Sequence, residues 1–208
     1  MLLSPEQITA FLLTAFLVTL APGPDNLMVL GTGISRGRRA GMMFGFGCAV
    51  GCLSHTLLAA VGVSALIAAS PLAFTILKII GGAYLVWLGI GALRSSGTAA
   101  PGQAQKAASS WRLFGRGLFA NAINPKVVLF FLAFLPQFVD TARGHSGWQI
   151  VQLGVLMTLM TALIFGAIGY FSGSVGQWLQ RRPKAGLWLD RIAGGLFVGL
   201  GLKLIVSR

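Results

Sequence analysis

Two short motifs set charge beside interrupted backbone inside long apolar runs. One is Ala21-Pro22-Gly23-Pro24-Asp25-Asn26; the other is Asn121 followed by Asn124-Pro125-Lys126. Proline lacks an amide hydrogen and clashes with the carbonyl four residues earlier, so Pro22 and Pro24 release the carbonyls of Val18 and Leu20, and Pro125 releases that of Asn121. Gly23 removes a further backbone restraint. In hydrocarbon an unpaired backbone group costs several kcal/mol, so a break persists only where protein, water or a ligand satisfies it. A broken helix also presents a positive N-terminal end and a negative C-terminal end near the bilayer midplane. Such opposed fields suit a zwitterion.

Asp25 and Lys126 add whole charges to those partial ones. An Asp or Lys at the centre of a membrane helix costs about 2.5–3.5 kcal/mol on insertion scales and is tolerated when paired or hydrated. Asp25 is the only acidic residue deep in an apolar run, the others being Glu6, Asp140 and Asp190. It is therefore the first candidate for a substrate ammonium or a coupling proton, with a structural ion pair to Lys126 as the rival reading. His55, between Ser54 and Thr56, titrates in a range suited to proton exchange, yet it reads equally well as a packing histidine. The candidate site is Pro22, Gly23, Pro24, Asp25, Asn26, His55, Asn121, Asn124, Pro125 and Lys126, and it calls for no metal and no cofactor.

The elements that carry these motifs follow from composition. The chain has 208 residues, 55% of them hydrophobic and only 10% charged, with a mean hydropathy of +0.81. A soluble domain carries roughly a quarter charged residues; a lipid shell accounts for the deficit. Six stretches near 7–31, 41–66, 71–93, 115–137, 148–172 and 188–206 approach or exceed the roughly 20 apolar residues that span hydrocarbon. Ser4-Pro5-Glu6-Gln7 opens the first with an N-cap, a first-turn proline and a capping-box partner. Ser70-Pro71 opens the third in a similar way, and Ser146 with Gln149 opens the fifth.

The net charge of +12 sits in short connections, which argues for membrane orientation and against nucleic acid. Arg36, Arg38 and Arg39 lie in the first loop, Arg94, Lys106, Arg112 and Arg116 in the third, and Arg181, Arg182 and Lys184 in the fifth. The second loop, around Ala68 to Pro71, has no charge, and the fourth balances Asp140 against Arg143. Odd loops are then cytoplasmic, and both termini face outward. Lys78 and Lys203 are expected to snorkel, and Asp190 to pair with Arg191. No basic residue precedes the first apolar stretch, so a cleaved signal peptide is not expected.

Residues 95–110 are rich in Ser, Gly, Ala and Gln and read as a flexible linker. They divide one transmembrane domain, residues 1–208, into halves of about 1–94 and 114–208 around a linker of about 95–113. Three spans in each half force the halves to enter the membrane in opposite senses. The run Leu77 to Leu85 resembles Asp190 to Val198, aligning Gly81-Gly82 with Gly194-Gly195. The fold class is all-α, six transmembrane helices in two inverted three-helix repeats, with the first and fourth broken by proline. Paired interrupted helices in such halves point to a transport site. The Gly41/Gly45 and Gly47/Gly51 spacings would serve internal packing or a homodimer.

From Pro22-Gly23-Pro24-Asp25-Asn26 onward the chain resembles the LysE/RhtB family of bacterial amino-acid exporters. The likeness continues through Gly33 to Gly41, His55, Leu77-Lys78, Gly81 to Leu85, Leu88-Gly89 and Leu93-Arg94. It resumes at Phe114, Gly117-Leu118 and Asn121 to Lys126, then Phe130-Phe131 and Pro136 to Phe138, and is weaker in the fifth span. The resemblance implies proton-driven efflux of neutral amino acids or close derivatives across a bacterial inner membrane, and no enzyme activity. The Pro-Gly-Pro-Asp and Asn-Pro-Lys motifs carry over directly.

Other chemistries fit less well. A divalent metal exporter would want several hard oxygens, or thiolates and imidazoles, and Lys126 would repel the ion. A transmembrane thiol–disulfide carrier needs cysteines on facing helices, whereas Cys48 and Cys52 share one helix and read as small packing residues. No Ser–His or paired-aspartate arrangement suggests an intramembrane hydrolase.

Overall fold

The computed structural model describes residues 3–63, 70–95 and 109–206, all connected through helices with no strand among them. Most of the linker, the end of the second expected span, the uncharged second loop before Ser70 and the extreme termini lie outside the described residues.

Helix α1 (Pro5–Leu20) begins with the expected capping box: Gln7 N donates to Ser4 Oγ at 3.2 Å, and Ser4 N donates to Gln7 Oε1 at 2.7 Å. The chain leaves helical geometry at Ala21 and Gly23 and restarts as α2 (Pro24–Arg36), bent 56° from α1. The expected span 7–31 is therefore two helices. Helix α3 (Arg38–Leu58) passes into a wider π turn over Ala59–Val63. Helix α4 (Pro71–Leu93) is capped as expected, Ala73 N donating to Ser70 Oγ at 3.2 Å.

The second break mirrors the first. Helix α5 (Ser110–Ala122) stops before Asn124, and α6 (Pro125–Leu129) continues through π and 3-10 turns to Phe138, bent 53° from α5. Helix α7 (Ser146–Tyr170) follows, then the short α8 (Ser172–Arg181) and α9 (Pro183–Val206).

The start of α7 departs from expectation. His145, with φ 51°, is its N-cap, and no side chain caps it. Gln149, fully buried, turns back instead: its Nε2 donates to the carbonyls of Asp140 and Gly144 at 2.8 and 2.9 Å, and its Oε1 accepts from Asp140 N at 2.9 Å. A left-handed pair at Gly144 and His145 brings that loop within reach of Gln149, so the residue folds the connection rather than the helix end.

Among the described residues three helices, α3 with its π turn, α4 and α7, are long and apolar enough to cross a membrane, and five spans result if each bent pair counts as one. Helix α9 has 24 residues but falls short of that apolarity, carrying Asp190, Arg191 and Lys203. Large apolar side chains face outward throughout, including Leu163 at 73% exposure and Leu57 at 66%. In water such a surface would aggregate; in lipid it is the expected coat.

Without a hydrophobic drive between helices in lipid, close packing must hold the bundle, and glycine supplies it. Helices α4 and α9 run antiparallel, Gly82 meeting Gly201 and Gly89 meeting Gly194 across backbone carbonyls. Helices α3 and α7 are also antiparallel, with Gly41 against Gly169, Gly45 against Phe165 and Thr56 against Gly154. Helix α3 lies parallel to α5, where Gly47 and Gly117 each face a carbonyl, of Phe114 and Phe44 respectively. Gly41, Gly45, Gly47 and Gly51 are thus all used inside the protomer. The buried faces of α4 and α9 match when Gly82, Leu85 and Gly89 are set on Gly194, Phe197 and Gly201. The sequence alignment of Gly81 with Gly194 is one residue out of step, because it follows the glycine pair and not the buried face. Lys78 is buried, its Nζ 5.8 Å from the Phe74 ring centre, while Lys203 is exposed. Arg191 lies over Trp188; the one ion pair among the described residues is Arg143–Asp140 at 3.1 Å.

A side chain at Gly47 or Gly117 would strike backbone, which cannot yield. Gly47→Val and Gly117→Val should each cost at least about 1–3 kcal/mol, read as a lower melting temperature in detergent. Gly91→Ala and Gly195→Ala, which meet open space, should leave the melting temperature unchanged or raise it slightly.

Candidate functional site

Each break leaves carbonyls that the helix no longer satisfies, and side chains from around the two breaks reach them. Asn26 Nδ2 donates to Thr19 O at 2.8 Å, and Lys126 Nζ donates to Ala21 O at 3.1 Å. His55 Nε2 lies 3.1 Å from Asn121 O, the carbonyl that Pro125 releases. A carbonyl only accepts, so the proton of that bond sits on Nε2. Around the first break the carbonyls met by side chains are Thr19 and Ala21, each one residue beyond the expected Val18 and Leu20, because the whole segment from Ala21 to Gly23 leaves the helix. Asn124 caps α6, its Oδ1 accepting from Lys126 N at 3.0 Å. Gly23 admits the Lys126 ammonium: a Cβ there would stand 3.2 Å from Nζ.

The charges cross between the breaks without meeting as an ion pair. Asp25 Oδ2 accepts from Asn121 Nδ2 at 2.7 Å, and Lys126 reaches Ala21 O. Both residues are buried, at 4% and 7% exposure. Lys126 Nζ also lies 4.7 Å from the centre of the Phe197 ring, a cation–π contact that strengthens in a desolvated setting. Asn121 Oδ1 is buried with no partner among the described residues, a position that costs about 1–3 kcal/mol.

Between the breaks lies a cavity of about 400 Å³, counting the space at its mouth. From the motifs it is lined by Gly23, Asp25, Asn26, Asn121, Asn124 and Lys126. Pro22, Pro24 and Pro125 shape the breaks, and His55 stands behind Asn121 without lining the space. The structure thus brings the two motifs together at one cavity. Sequence reasoning missed the walls: Thr19 on α1, and Met157, Thr161 and Phe165 on α7. The last three recur every fourth residue, a helical stripe whose one visible signal was a hydroxyl at Thr161 in an apolar span. Thr19 Oγ1 lies 3.9 Å from Met157 Sδ, and Cys52 Sγ 3.8 Å from Thr161 Oγ1.

The LysE type translocator family matches residues 16–208, an interval that contains both breaks, the cavity and every wall residue. The chain belongs to this family. It is a membrane translocator and not an enzyme. The homoserine/homoserine lactone efflux protein of Salmonella typhimurium is 32% identical over 199 residues, 96% of each chain. The threonine efflux protein of Escherichia coli is 32% identical over 194 residues, 91% of this chain and 92% of its own. The leucine efflux protein of an Enterobacter strain is 30% identical over 198 residues, 93% and 92% of the two chains. No solved structure matches.

His55 holds the backbone of the second break, so its loss should act on stability before it acts on transport. His55→Leu should lower the unfolding free energy by about 1–3 kcal/mol, measured by thermal denaturation in detergent.

Proposed function

We propose that this translocator exports neutral amino acids or close derivatives from the cytoplasm, by proton antiport and alternating access. The observation that carries the reading is the cavity between the breaks, where a buried carboxylate and a buried ammonium approach from opposite motifs. An amino acid presents the complementary pair of charges, its ammonium toward Asp25 and its carboxylate toward Lys126. Asn26, Asn124 and Asn121 supply neutral hydrogen bonds around them. The apolar wall of Val18, Met157 and Phe165, with the hydroxyls of Thr19 and Thr161, receives a small uncharged side chain. No further charge lines the cavity, which favours neutral over basic or acidic substrates. The efflux relatives named for homoserine, threonine and leucine support the same class.

In this reading six spans form two inverted halves, about 1–94 and 114–208, joined by a cytoplasmic linker of about 95–113. The antiparallel pairing of α3 with α7 and of α4 with α9 supports it, since each pair brings corresponding spans of the two halves together. The protein resides in a bacterial inner membrane with both termini outside the cytoplasm, as the exposed arginines Arg38 and Arg39 at the start of α3 and Arg181 and Arg182 at the end of α8 favour. The halves rock about the breaks, and a proton entering Asp25 weakens its hold on the substrate ammonium. A homodimer gains no support from the Gly-xxx-Gly spacings, whose glycines are used internally.

Inverted vesicles carrying the chain should take up labelled homoserine, threonine or leucine when a proton gradient is imposed, and control vesicles should not. Equal uptake in both would end the reading. Asp25→Asn should leave the protein inserted while removing the dependence of transport on pH; coupling that survives the change would refute the role of Asp25.

A further inference from the structure

The two charges that a zwitterion would use are already engaged by the protein itself. Asn121 Nδ2 sits on Asp25 Oδ2 at 2.7 Å, and the Ala21 carbonyl sits on Lys126 Nζ at 3.1 Å. Each contact runs from one break to the other. Each also has the chemistry of one end of a substrate: an N–H on a carboxylate, where an ammonium would place one, and a carbonyl oxygen on an ammonium, where a carboxylate would.

The Asn121 amide is left incomplete by this arrangement. Its Oδ1 is buried without a partner among the described residues and turned toward Gly51, where a Cβ would lie 2.8 Å away. Rotating the amide would not help, because an oxygen would then face the Asp25 oxygen. The side chain is 1% exposed and lines the cavity. An orphaned acceptor in a cavity wall calls for a donor, and an ammonium carries three.

We infer that Asn121 is a positioning latch that occupies the ammonium's place on Asp25 in the empty carrier and yields it to the substrate. The inference rests on the proposed binding of an amino acid at Asp25 and Lys126. The arriving ammonium takes over Asp25 Oδ2 and gives a second N–H to Asn121 Oδ1, while the substrate carboxylate draws Lys126 from Ala21 O. Ligand-bridged contacts replace the direct links between the breaks. His55 keeps the Asn121 backbone in place, so the amide can turn without the helix moving. While the latch is closed, Asp25 Oδ2 accepts its hydrogen bond from Asn121 Nδ2. The titratable groups that act on Asp25 are Lys126 on α6 and His55, Cys48 and Cys52 on α3. Helix α7 offers no acidic or basic side chain, and α1 only Glu6 at its far end.

The test uses the full chain in proteoliposomes with Asn121→Leu, which keeps the side chain's volume, and Asn121→Ala. Both variants remove the competitor and the Oδ1 acceptor together, so the readout is proton flow without substrate. A pH-sensitive dye should report a substrate-free proton leak several-fold above wild type, abolished by adding Asp25→Asn. A stable variant with no Asp25-dependent leak would overturn the latch. The leak assay needs no substrate, so a leak without transport of homoserine, threonine or leucine would sink the export reading and leave the Asn121–Asp25 contact as a proton barrier. Should both variants unfold, infrared difference spectra of wild-type protein carrying isotope-labelled asparagine decide instead. Homoserine should shift one buried side-chain amide band, and spectra without such a shift would overturn the latch.

Discussion

The structure depends on how backbone carbonyls freed by proline are satisfied where water is scarce. Each break separates two helices by more than 50° and releases acceptors from their regular helical bonds. Three side chains, Asn26, His55 and Lys126, answer three of them. Two of those bonds join elements far apart in sequence, so the cost of opening the helices is met by contacts that only the folded bundle provides. This ties the cavity to the fold: residues that stabilise the breaks also form, or stand directly behind, its wall. It also explains why a lysine can be buried between them. Lys126 has a carbonyl on one side, an aromatic face on the other and a carboxylate nearby, which together offset part of the hydration it has lost.

The glycine contacts set what surrounds that centre. Between α4 and α9, and between α3 and both α5 and α7, backbones approach until a methyl group would strike a carbonyl or a side chain. Packing of this kind is stiff, because neither partner has a flexible side chain to give way. The breaks are different. They are joined by side-chain hydrogen bonds that can be exchanged one for another, and the segment after Pro125 changes from α to π to 3-10 geometry within a few turns. The bundle thus combines glycine-packed helices with a centre held by side-chain hydrogen bonds.

Much of this was legible in the sequence because its causes are local. Proline positions fixed both breaks, Ser4 and Ser70 fixed two helix starts, and the lone deep carboxylate and its lysine counterpart marked the cavity. The rest depended on which faces meet. Whether Asp25 and Lys126 would pair directly could not be read from spacing, and the answer, two crossed contacts through Asn121 and Ala21, turns on a bend of each helix. Met157, Thr161 and Phe165 were hidden because a buried stripe on an apolar helix looks like any other. Gln149 illustrates the limit of motif reading: it stood where a capping partner should, yet a left-handed residue at position 145 turned the loop toward it. The offset of one residue between Gly81 and Gly82 has a similar origin, since sequence likeness follows residue types while packing follows the buried face.

The arrangement of charges bears on why two motifs are needed at all. A single broken helix could offer one end of a dipole to one end of a zwitterion, but the other charge would remain unsolvated. Two breaks in facing elements present a carboxylate on α2 and an ammonium on α6 at one cavity. Asn121 and Ala21 join the two motifs, and neither buried charge is left exposed to hydrocarbon. Any movement that parts the breaks must therefore replace both contacts at once. A zwitterion carries both groups that such a replacement requires, an ammonium for Asp25 and a carboxylate for Lys126.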